Sequence, residues 1–230
     1  MRPFSRSPIH SFTRHPQVKI CGITSPEDAV RCVGAGADAL GLVFWPQSTR
    51  AVSPALAAEI AQAVPASFPL VGVFVDAAEV EIRQTVERVG LAAVQLHGRE
   101  NTFLVADLRR SGLLVIKALF TGREPGVDAA RDYLASAFLV EAGRSQQPGG
   151  TGREWNWEVP DGFYRGAPLI LAGGLAPANV AAAVRAVRPD AVDVSSGVES
   201  APGRKDRKLV RAFVDAVRGC PVEINPRRIF

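Results

Sequence analysis

From residue 17 onward one unit recurs along the chain: an apolar, β-branched run, a capped amphipathic segment, then the next run. The runs fall near residues 17–22, 38–44, 69–75, 92–96, 113–119, 136–141, 168–172 and 190–194. Short apolar runs of this composition read as buried strands. Between most of them the helix signals are specific. Ser25-Pro26-Glu27-Asp28 and Ser53-Pro54 each supply an N-cap with Pro at the first helical position. Asp76 and Glu79 have the spacing of a capping box. Apolar residues then return every three to four positions, as in Ile82, Val86, Val89 and in Val210, Phe213, Val217, which suits helices lying on a sheet. Eight strands alternating with helices in this length predict an α/β fold, a single (β/α)8 TIM barrel. A doubly wound open sheet is the alternative, but no GxGxxG follows the first strand.

This pattern places one domain at residues 17–219, with a basic, disordered extension at 1–16 and a tail at 220–230. Arg2, Arg6 and Arg14, with no acid among the first 16 residues, account for three of the net four positive charges. That segment has features of an organelle transit peptide but lacks the apolar core of a secretory signal. His10 and His15 lie in it and are set aside as catalytic candidates. The remainder is near neutral without a basic stripe, so no nucleic-acid partner is expected. No run approaches the roughly 18 apolar residues of a membrane span, so no membrane partner is expected either. Cys21, Cys32 and Cys220 are odd in number and widely spaced, without a CxxC pair. They form neither a disulfide framework nor a metal motif, which points to a reducing compartment, the cytoplasm. Residues 142–166, including Gln146-Gln147-Pro148-Gly149-Gly150-Thr151-Gly152, read as a long loop of the kind that covers or binds a ligand.

In a barrel the active site lies where the strands end. Strand one ends in Cys21 and Gly22, and strand two leads into Phe44-Trp45-Pro46-Gln47-Ser48-Thr49-Arg50. Strand four brings Gln95, His97 and Gly98, strand five Lys117 and strand six Glu141. Strand seven brings Gly173 and Gly174, and strand eight Asp193 to Gly197, including Ser196. Two Gly-containing turns on adjacent strand ends, with a helix expected from Ala176-Pro177, suit a phosphate held by backbone N–H groups. No cluster has metal-ligand spacing and there is no GxSxG, so neither a metal nor a serine nucleophile is expected. A thiol at Cys21 and a carboxylate at Glu141 remain, a base and an acid suited to enolising or isomerising a sugar phosphate. A cationic setting can lower the thiol pKa from about 8.5 toward neutrality.

Val18-Lys-Ile-Cys-Gly-Ile23, Gly36-Ala-Asp38, Ser48-Thr-Arg50, Val71-Gly-Val-Phe-Val75, Gln95-Leu-His-Gly98, Ile116-Lys-Ala118, Gly149-Gly-Thr-Gly152, Ala172-Gly-Gly-Leu175 and Asp193-Val-Ser-Ser-Gly-Val-Glu199 occur in that order. Together they resemble the phosphoribosylanthranilate isomerases of tryptophan biosynthesis. The resemblance implies a cofactor-free Amadori rearrangement of N-(5-phosphoribosyl)anthranilate to 1-(2-carboxyphenylamino)-1-deoxyribulose 5-phosphate. It implies that Cys21 is the base, the strand-six carboxylate the acid and Arg50 the partner of the anthranilate. It also implies that Gly173, Gly174, Ser196 and Gly197 hold the phosphate. The family has Asp where this chain has Glu141, and Phe-Asp-Trp where it has Trp155-Asn156-Trp157. Glu reaches about 1.5 Å further, which leaves a slowed or non-catalytic phosphosugar-binding barrel as the alternative. Asp193 is expected to pair with Lys19, with a catalytic part for it open. Trp45, beside Arg50, is the best candidate to line the anthranilate slot. A monomer or weak homodimer is expected.

Overall fold

The computed structural model describes residues 15–141, 163, 166–220 and 226–230. The extension before residue 15, the Gly-rich stretch 146–152, Trp155 and Trp157 lie outside the described residues. In chain order the elements are β1 (Gln17–Cys21), α1 (Pro26–Gly34), β2 (Ala39–Val43), α2 (Pro54–Ala63), β3 (Leu70–Phe74), α3 (Glu79–Val89), β4 (Ala93–Leu96) and α4 (Thr102–Arg110). They continue with β5 (Leu114–Phe120), β6 (Ala137–Glu141), β7 (Leu169–Ala172), α5 (Val180–Val187), β8 (Ala191–Val194), a hairpin of β9 (Glu199–Ala201) and β10 (Arg204–Lys205), and α6 (Arg207–Arg218). Strands β1 to β8 close into a parallel barrel, with Lys19 beside Ala39 on one side and Asp193 on the other.

Local chemistry explains most helix starts. Ser25 Oγ accepts from Asp28 N–H at 3.2 Å and Ser53 Oγ from Leu56 N–H at 3.2 Å, each with Pro in the first turn. The capping box at Asp76 does not form. Its φ is +51°, and its carboxylate turns away to accept from Arg99 N–H at 2.6 Å, so α3 opens after Ala78 without a side-chain cap. A 3-10 turn, Val127–Asp132, stands between β5 and β6. The helix expected from Ala176-Pro177 opens only at Val180, because Asn179 Oδ1 takes Ala176 N–H at 2.8 Å and folds the segment into a turn.

The outward faces of the strands and the inner faces of the helices form one large core. The barrel interior forms another. There the even strands contribute Ala39, Ala93, Ala137 and Ala191, all buried, and the odd strands contribute larger residues such as Val71, Ile116 and Ile170. Four alanines leave room at the amino-terminal end of the barrel, and Ile229 and Phe230 pack into it. The Gln17 side chain holds them, accepting from Ile229 N–H at 2.6 Å and donating to the Phe230 carbonyl at 3.0 Å. Arg227 pairs with buried Asp190 at 2.8 Å. Deleting residues 226–230 strips Asp190 of that guanidinium and empties the floor. It is expected to lower Tm by roughly 10 °C with kcat of the folded fraction unchanged. Thermal unfolding checks this, and an unchanged Tm would show that the tail only decorates the floor.

Candidate active site

Strand alternation turns Gln17, Lys19 and Cys21 inward. Lys19 is fully buried and donates to Asp193 Oδ1 at 2.8 Å, as expected for that pair. Gly41 of β2 faces both Lys19 and Cys21. A Cβ there would come within 2.7 Å of Cys21 Sγ and 3.0 Å of Lys19 Nζ. The missing side chain therefore lets ammonium and thiol share one space. Burial, the largest influence on Lys19, would pull its pKa down, but the opposing groups, Asp193 foremost, leave the ammonium above its ordinary value. Cys21 goes the other way from the lowered thiol of the sequence reading. Burial pushes it up, and the opposing pull of Lys19 does not bring it back. In the free protein this residue is a thiol at neutral pH. Val43, Val73 and the partly buried Trp45 surround it, so Trp45 does stand at this rim.

Three strands around the barrel from Cys21, Glu141 ends β6 and also faces inward. Its Oε2 lies 3.2 Å from His97 Nε2, both side chains being about one-quarter exposed. His97 Nδ1 lies 2.9 Å from Gln95 Nε2. With the amide donating to Nδ1, the imidazole carries its proton on Nε2 and offers it to Glu141. Phe120 meets the His97 ring edge-on at 5.3 Å between centroids and fixes its plane. Lys117, on β5, faces outward. Its ammonium bonds Glu100 at 2.8 Å and the carbonyls of Gly98 and Leu96, bracing the turn that carries His97.

Arg50 extends from the β2–α2 loop. Its Nε and Nη2 donate to Glu199 at 2.7 and 2.6 Å. Burial would raise the Glu199 carboxyl, but hydrogen bonds from Arg50 and Lys205 hold it below the ordinary range. Across the mouth, Gly173 and Gly174 have φ of +92° and +64°. Gly197 lies against the Leu175 carbonyl so closely that no Cβ would fit, so the turns after β7 and β8 interlock. Because α5 begins at Val180, its positive end stands further from this turn than the sequence implied.

A family model described as N-(5′-phosphoribosyl)anthranilate (PRA) isomerase matches residues 18–216. The chain belongs to this isomerase family. A curated N-(5′-phosphoribosyl)anthranilate isomerase from Desulfatibacillum aliphaticivorans is 45% identical over 214 residues, covering 93% of this chain and 98% of the relative. The crystal structure of the Thermotoga maritima phosphoribosyl anthranilate isomerase is 40% identical with a TM-score of 0.78, over 89% of this chain and 99% of that one. A phosphoribosyl anthranilate isomerase in complex with reduced 1-(o-carboxyphenylamino)-1-deoxyribulose 5-phosphate is 38% identical with a TM-score of 0.76, over the same shares. The chain is thus an aldose–ketose isomerase of tryptophan biosynthesis on a TIM barrel.

In this member of the family, Cys21, Glu141, Arg50 and the Gly-containing turns 173–174 and 196–197 stand around one end of the barrel. Three contributors were not singled out in the sequence. Gly41 had a signal, since an isolated Gly inside a strand marks a close approach. Glu199 closes a motif that carried the resemblance, without a role of its own. Lys205 had no local signal, because its partners Glu199 and Ser195 meet it only through the hairpin turn.

Proposed function

We propose that this chain converts N-(5-phosphoribosyl)anthranilate to 1-(2-carboxyphenylamino)-1-deoxyribulose 5-phosphate, with Glu141 as acid and Cys21 as base. The observation that carries this reading is the Cys21 thiol beside the Lys19 ammonium in the gap at Gly41. Glu141 protonates the ribose ring oxygen, the C1–O bond breaks, and the nitrogen lone pair forms an iminium. Cys21, as thiolate, then removes the C2 proton, and the C–H electrons form the enolamine. Loss of the enol O–H proton and protonation of C1 give the ketone. Two protons are given, to the ring oxygen and to C1, and two are taken, from C2 and from the enol O–H, so the chemistry needs proton transfer alone. The iminium places a positive charge one bond from C2, close to Cys21. Such a charge favours thiolate in a site where burial otherwise disfavours it. Arg50 meets the anthranilate carboxylate, and Gly173, Gly174, Ser196 and Gly197 hold the phosphate.

The catalytic unit is residues 17–219, with 1–16 a basic N-terminal extension and 220–230 a C-terminal tail. It works in the cytoplasm, where its cysteines stay reduced, as a monomer or weak homodimer. Phosphoribosylanthranilate is fluorescent, and its signal is expected to decay on adding the purified chain. A signal that persists while a product analogue binds would replace this reading with a non-catalytic binder.

A further inference from the structure

Arg50 is held from two sides. Its stem lies over Gly22, where a Cβ would come within 2.5 Å of Cδ and 3.3 Å of Cγ. Its head is clasped by Glu199, whose side chain is only 4% exposed. Glu199 in turn accepts from Lys205 Nζ at 2.7 Å, and that ammonium is also buried. Glu199 and Lys205 occupy the two arms of the β9–β10 hairpin. The turn of the hairpin is fastened to the β1–α1 loop, where the Gly203 carbonyl accepts from Thr24 Oγ1 at 2.5 Å. Lys205 Nζ further donates to the Ser195 carbonyl at 3.3 Å, beside the Ser196-Gly197 turn.

We propose that Glu199, backed by Lys205, is a positioning residue that presents Arg50 to the aromatic carboxylate of the substrate. This rests on the reading of Arg50 as the partner of that carboxylate. A guanidinium offers two edges for bidentate binding. Glu199 takes the edge made by Nε and Nη2, which leaves the end formed by Nη1 and the outer N–H of Nη2. A long side chain on a loop must be ordered to bind, and ordering it beforehand removes that cost from the affinity. Arg50, Glu199 and Lys205 together carry a net charge of +1, so the clasp keeps its attraction for an anion.

The test measures binding of reduced 1-(o-carboxyphenylamino)-1-deoxyribulose 5-phosphate and of its counterpart lacking the ring carboxylate, by titration calorimetry. Wild type is expected to prefer the carboxylate-bearing ligand by about 30-fold. In Glu199→Gln the preference is expected to fall below about fivefold. The carboxylate-free ligand should bind both proteins alike, which shows that the fold is intact. Should Glu199→Gln fail to fold, Glu199→Asp decides. One methylene shorter, it cannot reach both Nε and Nη2 from the same backbone, and the preference is expected to fall to about tenfold. An unchanged preference in the folded variant overturns the role of Glu199 and leaves the Arg50 reading standing. No preference in wild type overturns both.

Discussion

Cys21→Ser is expected to lower turnover of phosphoribosylanthranilate by about 10³-fold while binding of the product analogue survives. The exchange of sulfur for oxygen fits the space that Gly41 leaves open, so the barrel has no reason to rearrange. What changes is the acidity of the group, since an alcohol does not ionise in water where a thiol does. The wild-type pH profile follows from the same residue. Burial raises the Cys21 pKa, so the thiolate is the minor form at neutrality and its share grows as pH rises. Glu141 must keep its proton in the same enzyme form, so the account predicts a bell-shaped kcat/KM profile, and the limb that belongs to the thiol is lost in Cys21→Ser. Stopped-flow fluorescence across pH checks both, and unchanged turnover in the Ser variant would reject Cys21 as the base.

Glu141→Gln is expected to cost about 10²- to 10⁴-fold in kcat, because the amide N–H is too weak an acid to protonate the ring oxygen. Glu141→Asp is expected to stay within about tenfold of wild type. Aspartate gives up the 3.2 Å contact with His97 but keeps an ionisable carboxyl at the end of β6. A loss in the Asp variant as deep as in the Gln variant would mean that His97 sets where the carboxyl must stand. Steady-state kinetics of the two variants separate these outcomes.

The eight strands were legible to within a residue, because a buried parallel strand is an apolar run bounded by polar turns and needs no distant partner to be recognised. The Ser25 and Ser53 caps were legible for the same reason, since cap and helix are neighbours in sequence. Asp76 misled because its carboxylate found a backbone N–H 23 residues away. The pairing of Lys19 with Asp193 could be inferred once the barrel was closed, since β1 and β8 must then be neighbours. Other pairings carry no such rule. Glu100 under Lys117, Glu199 on Arg50 and the Phe230 floor join segments that only the folded loops bring together. The elevated thiol of Cys21 was missed because burial, which no single residue type announces, outweighs the lysine two positions earlier.

The most direct measurement is a crystal structure of this chain with reduced 1-(o-carboxyphenylamino)-1-deoxyribulose 5-phosphate bound. The predicted result has C2 of the analogue within about 3.5 Å of Cys21 Sγ, with Glu141 on the other side of the sugar and the phosphate on the turns at Gly173-Gly174 and Ser196-Gly197. An analogue bound with C2 turned away from Cys21, or with no carboxyl group in reach of its sugar oxygens, would contradict the assignment of base and acid.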